Sequence, residues 1–295
     1  MKPVIKYQGG KSKELPLIKE MLPKRFDRVV EPFCGGAAVS FGLQTPALLS
    51  DINPMVINLY KVLQSEDFVG VLHRINVMKT YEHDALQEAY YAARDVINKP
   101  DDFTPLIQAV SYIIVRQLCF SGMERYNSDG KFNVPFGHYK RLSCNLSPDH
   151  HTFLKKCDVR YASFDDTLAD VNDDDFVFID PPYLERLGYT EGDGGFELHS
   201  KLHSILSVMK APWMIIHSDH EFYREYYKDF NIVDKDFNYA QRFGKDKVKS
   251  QAPTIDSFIE ENVEEENVKK EEKLKVLKDH SGSKVKHLYI TNYEM

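Results

Sequence analysis

The sequence predicts an α/β fold, a doubly wound sheet with helices on both faces and one mostly helical insertion. Short unbroken apolar runs alternate with helical stretches, as they do when parallel strands are buried on both sides. Several of these runs end on an acid or a glycine turn, where α/β sheets place their sites. Between residues 61 and 145 the strand pattern gives way to helical periods.

Taken in order, Arg28-Val29-Val30-Glu31-Pro32 reads as a strand running into a glycine turn. Ala37 to Leu43 opens a helix, and Ala47-Leu48-Leu49-Ser50-Asp51 reads as a second strand. His83 to Asn98 and Thr104 to Leu118 read as helices, followed by a loop rich in aromatics, Asn, Gly and Pro. Val159 to Ala162, Phe176 to Asp180 and Trp213 to His217 supply further strands. Val285 to Asn292 alternates as a half-buried strand should, and belongs to a hairpin at the sheet's antiparallel edge. The expected division is a sheet domain from 1–60 and 146–295, an inserted domain from 61–145, and a charged insertion or linker over 245–284.

Composition bounds the function. The chain has 295 residues, enough for one large domain or two smaller ones, and no apolar run long enough to cross a bilayer. The first residues lack the apolar stretch of a signal peptide, so the expected location is cytoplasmic. Four cysteines without a CxxC pair argue against a disulfide framework and a zinc site. The net charge of −7 weakens a nucleic-acid partner only slightly. Residues 256–280 alone, with nine acidic and five basic side chains, supply −4 of it. A basic patch can persist elsewhere, because field depends on where charges sit.

Four motifs carry chemistry. Glu31-Pro32-Phe33-Cys34-Gly35-Gly36 lies at a strand-to-helix junction, but its spacing is not GxGxxG, so alone it reads equally as a structural turn. Asp51 ends the next strand, where an acid can hold ribose hydroxyls; a capping or Asx-turn role is equally open. Gly9-Gly10-Lys11-Ser12 invites a phosphate-loop reading that fails, because Ile5 stands where the first glycine belongs. What remains is a lysine suited to a carboxylate or a DNA phosphate.

Asp180-Pro181-Pro182-Tyr183 is the sharpest signal. Apolar residues deliver an aspartate to a strand end, and two prolines stiffen the chain after it. The adenine amino nitrogen is a poor nucleophile, its lone pair being delocalised into the ring. Asp180 and the Pro181 carbonyl can accept hydrogen bonds from that group while holding it in line with a methyl donor. Tyr183 offers a flat face for an extruded base. A prolyl turn is the structural alternative.

In this order, Tyr7-x-Gly9-Gly10-Lys11, Pro32 to Gly36, Asp51 and Asp180 to Tyr183 resemble the Dam family of DNA adenine-N6 methyltransferases. Phe120-Ser121-Gly122-Met123-Glu124-Arg125-Tyr126-Asn127, running on to Gly137, is similar to that family's target-recognition loop. The resemblance implies a methyltransferase-type mixed sheet, with the insertion as DNA-recognition domain. It implies S-adenosylmethionine as cofactor, duplex DNA as partner, base flipping and no metal. Tyr7, Lys11, Phe33, Cys34, Gly35, Gly36, Asp51, Ile52 and Asp180 would line the cofactor pocket, with Phe164 packed on its adenine. Lys11, Met123, Arg125, Asn127 and Pro135 would face DNA; Arg125 would read guanine and Met123 would wedge between bases. For Arg125 a sequence-blind phosphate clamp is the plainer alternative.

Two departures stand out. Ser121 occupies a place where many relatives have asparagine, and the charged stretch after Gly244 has no counterpart. The histidine pairs 150/151, 199/203 and 217/220 read as surface or core residues, although His199 and His203 could share a helix face. Rival acceptors are RNA adenine, cytosine N4 and a protein amide, and a rival class is a non-catalytic DNA-binding relative. The recognised DNA sequence and the oligomeric state are not legible.

Overall fold

The computed structural model describes residues 1–184, 194–238 and 284–294. Its strands are β1 Arg28–Glu31, β2 Ala47–Asp51, β3 Asp158–Tyr161, β4 Asp175–Ile179, β5 Trp213–Ser218, β6 Asn231–Asn238 and β7 Lys284–Thr291. They form one sheet in the order β3-β2-β1-β4-β5-β7-β6. The five strands from β3 to β5 are parallel, while β7 runs antiparallel to both β5 and β6. Among the described residues the helices are α1 Leu15–Glu20, α2 Ala38–Leu43, α3 Pro54–Gln64, α4 Phe68–Met78, α5 His83–Ile97, α6 Pro105–Leu118, α7 Pro148–Leu154, α8 Phe164–Ala169, α9 Gly194–Leu206 and α10 Glu221–Tyr226.

The apolar runs form strands because both faces of the sheet are covered. On one face Val29, Phe176, Phe178, Met214 and Ile216 join residues of α3 and α6. On the other, Val30, Val177, Ile179, Trp213 and Ile215 join Leu202 and Leu206 of α9 and Tyr223 of α10. Successive residues of one strand serve opposite cores, so apolar side chains fill most positions and the buried polar ones fall mainly at strand ends and in β7.

Helix starts follow their caps. Asn53 accepts from the Met55 amide with Pro54 in the first turn of α3, and Thr104 caps α6 in front of Pro105. The α3 helix runs through residue 60, and its core is continuous with that of the sheet.

One strand differs from expectation. The alternation in 285–292 predicts a half-buried strand, yet β7 is buried continuously from His287 to Thr291. It lies between β5 and β6, so it is interior, and β6 is the antiparallel edge. The β6/β7 hairpin runs in register out to Asn238↔Lys284. The charged stretch 245–284 therefore falls in the hairpin's connection, and apart from Lys284 it lies outside the described residues.

The chain leaves β1 for β2 and β3 on one side, then crosses to β4 and β5 on the other. The loops after β1 and β4 therefore diverge at neighbouring strand ends. This crevice is the switch point where doubly wound sheets bind ligands.

Candidate active site

The loop after β1 is shaped by backbone geometry. Gly35 has φ +42°, and a Cβ placed there would lie 2.5 Å from the Tyr7 ring, so only glycine fits beneath that tyrosine. Asp51, at the end of β2, fastens the same loop. Its carboxylate accepts from the Gly35 amide at 2.9 Å and, as an Asx-turn, from the Asn53 amide at 2.9 Å. Burial pushes the Asp51 carboxyl upward, and these backbone donors pull it back.

The loop after β4 carries Asp180. Lys11 is only 2% exposed, and its ammonium donates to Asp180 Oδ1 at 2.6 Å and to the Gly9 carbonyl at 2.8 Å. Of the two partners open to this lysine in the sequence, it meets the carboxylate. Burial raises the Asp180 carboxyl, and the adjacent Lys11 charge opposes the rise. The Lys11 ammonium also lies 5.4 Å from the Tyr183 ring centroid.

Three histidines hold Pro182 to Leu184 of this loop. His199 Nε2 donates to the Pro182 carbonyl at 3.0 Å, and its Nδ1 meets the Tyr223 hydroxyl at 2.5 Å. His217 Nε2 accepts from the Leu184 amide at 3.1 Å while Nδ1 lies 3.0 Å from the Ser218 carbonyl, which fixes the proton on Nδ1. Burial lowers His217 to about 3, so the ring is neutral. His287 Nε2 lies 3.4 Å from the Tyr183 hydroxyl and Nδ1 3.0 Å from the buried Glu14 carboxyl. His199 and His217, expected as surface or core residues, are buried in the core and position the prolyl loop together with His287. Nothing in their sequence spacing signals this, because they come from α9, β5 and β7. No cluster of three metal-ligating side chains occurs among the described residues.

A cavity of about 690 Å³ opens at the switch point. It brings together Tyr7, Lys11, Phe33, Cys34, Gly35, Gly36 and Asp180 to Tyr183 from the expected set. Asp51, Ile52 and Phe164 do not line it. Asp51 acts from behind Gly35, Ile52 is 70% exposed, and Phe164 stacks on Phe33 at 5.4 Å. Sequence reasoning missed two acids on the wall, Glu31 and Glu124. Glu31 accepts from the Ser40 amide at 2.8 Å and from the Ser40 hydroxyl, and burial pushes it up to about 7. Its signal was available as an acid at a strand end directly before the glycine turn.

The loop after α6 is a small hairpin. Asn127 accepts from the amides of Asp129 and Lys131, and Tyr126 bridges Phe132. Phe132, Val134 and Phe136 alternate inward as anchors, and Asn98 and Tyr90 bind the backbone of this strand. Arg125, Asn127 and Pro135 are left exposed, with Met123 37% exposed. Arg125 Nε donates to Asn133 Oδ1 at 2.7 Å. Ser121 adopts a left-handed φ of +53°, followed by Gly122 at +67°.

The profile of the D12 class N6 adenine-specific DNA methyltransferases matches residues 7–241. The type II methyltransferase M.CviBI of Paramecium bursaria Chlorella virus NC1A is 30% identical over 268 residues, covering 88% of this chain and 99% of that protein. The Retron Ec67 DNA adenine methylase of Escherichia coli is 32% identical over 243 residues, 78% of this chain and 82% of its own. The DNA adenine methylase of Escherichia coli strain K12 is 33% identical over 185 residues, 61% and 64% of the two chains. The profile covers both loops that frame the cavity as well as the hairpin after α6, and stops before the charged stretch. On these grounds the chain belongs to the D12 class of N6 adenine-specific DNA methyltransferases.

Proposed function

We propose that the chain transfers the methyl group of S-adenosylmethionine to N6 of an adenine extruded from duplex DNA, within a short recognised sequence. The observation that carries this is the Asp180–Lys11 clamp at the head of a prolyl loop, in one cavity with the glycine loop after β1. The cavity's size suits a nucleoside cofactor. Its acids Glu31, Glu124 and Asp180 suit a cationic one. When bound, S-adenosylmethionine would supply a methyl group made electrophilic by its sulfonium.

The residues of this chain then act on the acceptor. Lys11 occupies Asp180 Oδ1, which leaves Oδ2 to accept from the adenine amino group, with the Pro181 carbonyl as second acceptor. Two acceptors fix the amino nitrogen's direction and withdraw the need for solvent at that atom. The Tyr183 ring, set by His287 and His217, provides the stacking face. Tyr7, Lys11, Phe33 to Gly36 and Asp180 are assigned to the cofactor, with Asp51 and Ile52 supporting the ribose side and Phe164 the adenine side through Phe33. The 61–145 segment is assigned target recognition through Met123, Arg125, Asn127 and Pro135. That assignment is of function, since its helices share the core of the sheet.

Long-read sequencing of DNA from cells expressing the protein tests the reading. Methylated adenine in one short context is expected, and unmodified adenine throughout would overturn it. A tritium-transfer comparison of duplex DNA with RNA separates the acceptors, and calorimetry with S-adenosylmethionine tests the cofactor.

A further inference from the structure

Arg116 is fully buried near the end of α6, yet it belongs to no part of the chemistry described above. A buried guanidinium persists only when its donors are satisfied. Here Nε donates to the Lys6 carbonyl at 3.0 Å, and the terminal nitrogens to the Gly122 and Met123 carbonyls at 3.3 Å each. Its remaining partner is Glu124, at 3.2 Å. The guanidinium also lies 5.4 Å from the Tyr7 ring centroid. One cation thus ties the N-terminal segment at Lys6 to the start of the recognition hairpin.

The residues it holds alternate. Glu124 and Tyr126 line the catalytic cavity, Glu124 half-buried and Tyr126 at its exposed rim, whereas Met123 and Arg125 are exposed without lining it. The Tyr126 hydroxyl donates to Glu124 Oε1 at 3.0 Å, so the two cavity-lining side chains form one unit. In an extended segment neighbouring side chains project to opposite sides, and a displacement of one face displaces the other. The outward face would meet base pairs, and the inward face is cavity wall.

We propose that Glu124, held by Arg116, is a positioning residue that couples reading of the target sequence to assembly of the catalytic cavity. A correct base pair seats Arg125, which fixes the 123–126 segment and sets Glu124 and Tyr126 against the bound substrates. A wrong pair leaves Arg125 unseated and the wall displaced, so discrimination appears in turnover as well as in binding. The proposal rests on the reading of Arg125 as a DNA-reading side chain.

The test compares kcat/KM of methyl transfer to the cognate duplex with that to a duplex altered at one recognised flanking pair. Glu124→Ala is expected to narrow this ratio by about tenfold. Glu124→Gln, whose amide oxygen can still accept from Arg116 while its NH2 donates to the Tyr126 oxygen, is expected to restore most of the ratio. The Glu124→Ala/Arg125→Ala double variant is expected to discriminate no worse than Arg125→Ala alone, as coupled residues do. Circular dichroism of each variant establishes that it folds, and Glu124→Asp, which shortens the reach to Arg116, is expected to narrow the ratio should the alanine variant unfold, an unchanged ratio overturning the coupling. Loss of activity by one common factor on both duplexes would overturn the coupling while leaving the function intact. A wild-type enzyme without preference between the duplexes, or an Arg125→Ala variant with the wild-type ratio, would overturn the underlying reading and the proposal together.

Discussion

The prolyl loop after β4 and the hairpin after α6 use opposite strategies for presenting polar groups. In the first, protein partners engage nearly every group: Asp180 meets Lys11, the Pro182 carbonyl meets His199, and the Leu184 amide meets His217. In the second, backbone and inward anchors are fixed while Arg125, Asn127 and Pro135 remain at the surface. Chemistry on an amino nitrogen needs acceptors that do not reorganise, so the reacting loop is fully braced. Recognition needs side chains that exchange water for base edges, so the hairpin fixes its frame and leaves its tips exposed.

Substitutions can break each half of this contrast. The largest effect is expected at Asp180. Asp180→Ala should reduce kcat by at least about 10³-fold in a methyl-transfer assay, as removal of a preorganised polar partner does. It also strands the buried Lys11 ammonium, so the melting temperature should fall while the circular dichroism spectrum is retained. Near-wild-type turnover would end the assignment of Asp180.

Titration sharpens the contrast next, through two buried groups beside the braced loop, Glu31 and His217. Glu31 has a folded value of about 7 against 4.5 unperturbed, so the native state binds the extra proton and loses stability as pH rises between them. Replacing it with glutamine should be near neutral at pH 5 and stabilising by roughly 3 kcal/mol at pH 8, read from denaturant midpoints. The His217 effect has the opposite sign. Its folded value of about 3 lies below the 6.5 of a free imidazole, so native stability falls as pH drops from 6.5 toward 3. A Glu31→Gln variant whose stability relative to wild type does not change with pH would remove Glu31 from this account.

The smallest effect belongs to the hairpin. Ser121 holds a left-handed backbone, which asparagine adopts more readily. Ser121→Asn should raise stability by roughly 0.5 kcal/mol, with thermal melting as the measure. Destabilisation would show that the serine side chain has a partner role that the backbone argument omits.

The expected strands at 28–32, 47–51, 159–162, 176–180 and 213–217 were legible because burial on both faces leaves continuous apolar runs. The interior position of β7 was not, because polar His287 and Thr291 sit at buried positions and imitate a solvent face. In the site, the glycine loop and Asp180 to Tyr183 were legible because strand-end chemistry is local in sequence. Glu124 was passed over inside a recognised segment, since alternate sides of an extended strand have no sequence label when the partner is unknown.

The chain's order of residues by itself determined the doubly wound sheet, the loops at its switch point and the family's motifs, all set by contacts within a few residues or by hydrophobic period. Only the tertiary structure decided that Lys11 serves Asp180 across 169 residues, that Glu14 and His287 stand behind Tyr183, and that Arg116 underlies the hairpin. These are buried polar pairings between distant elements, and a buried donor takes whichever acceptor the packed fold places beside it.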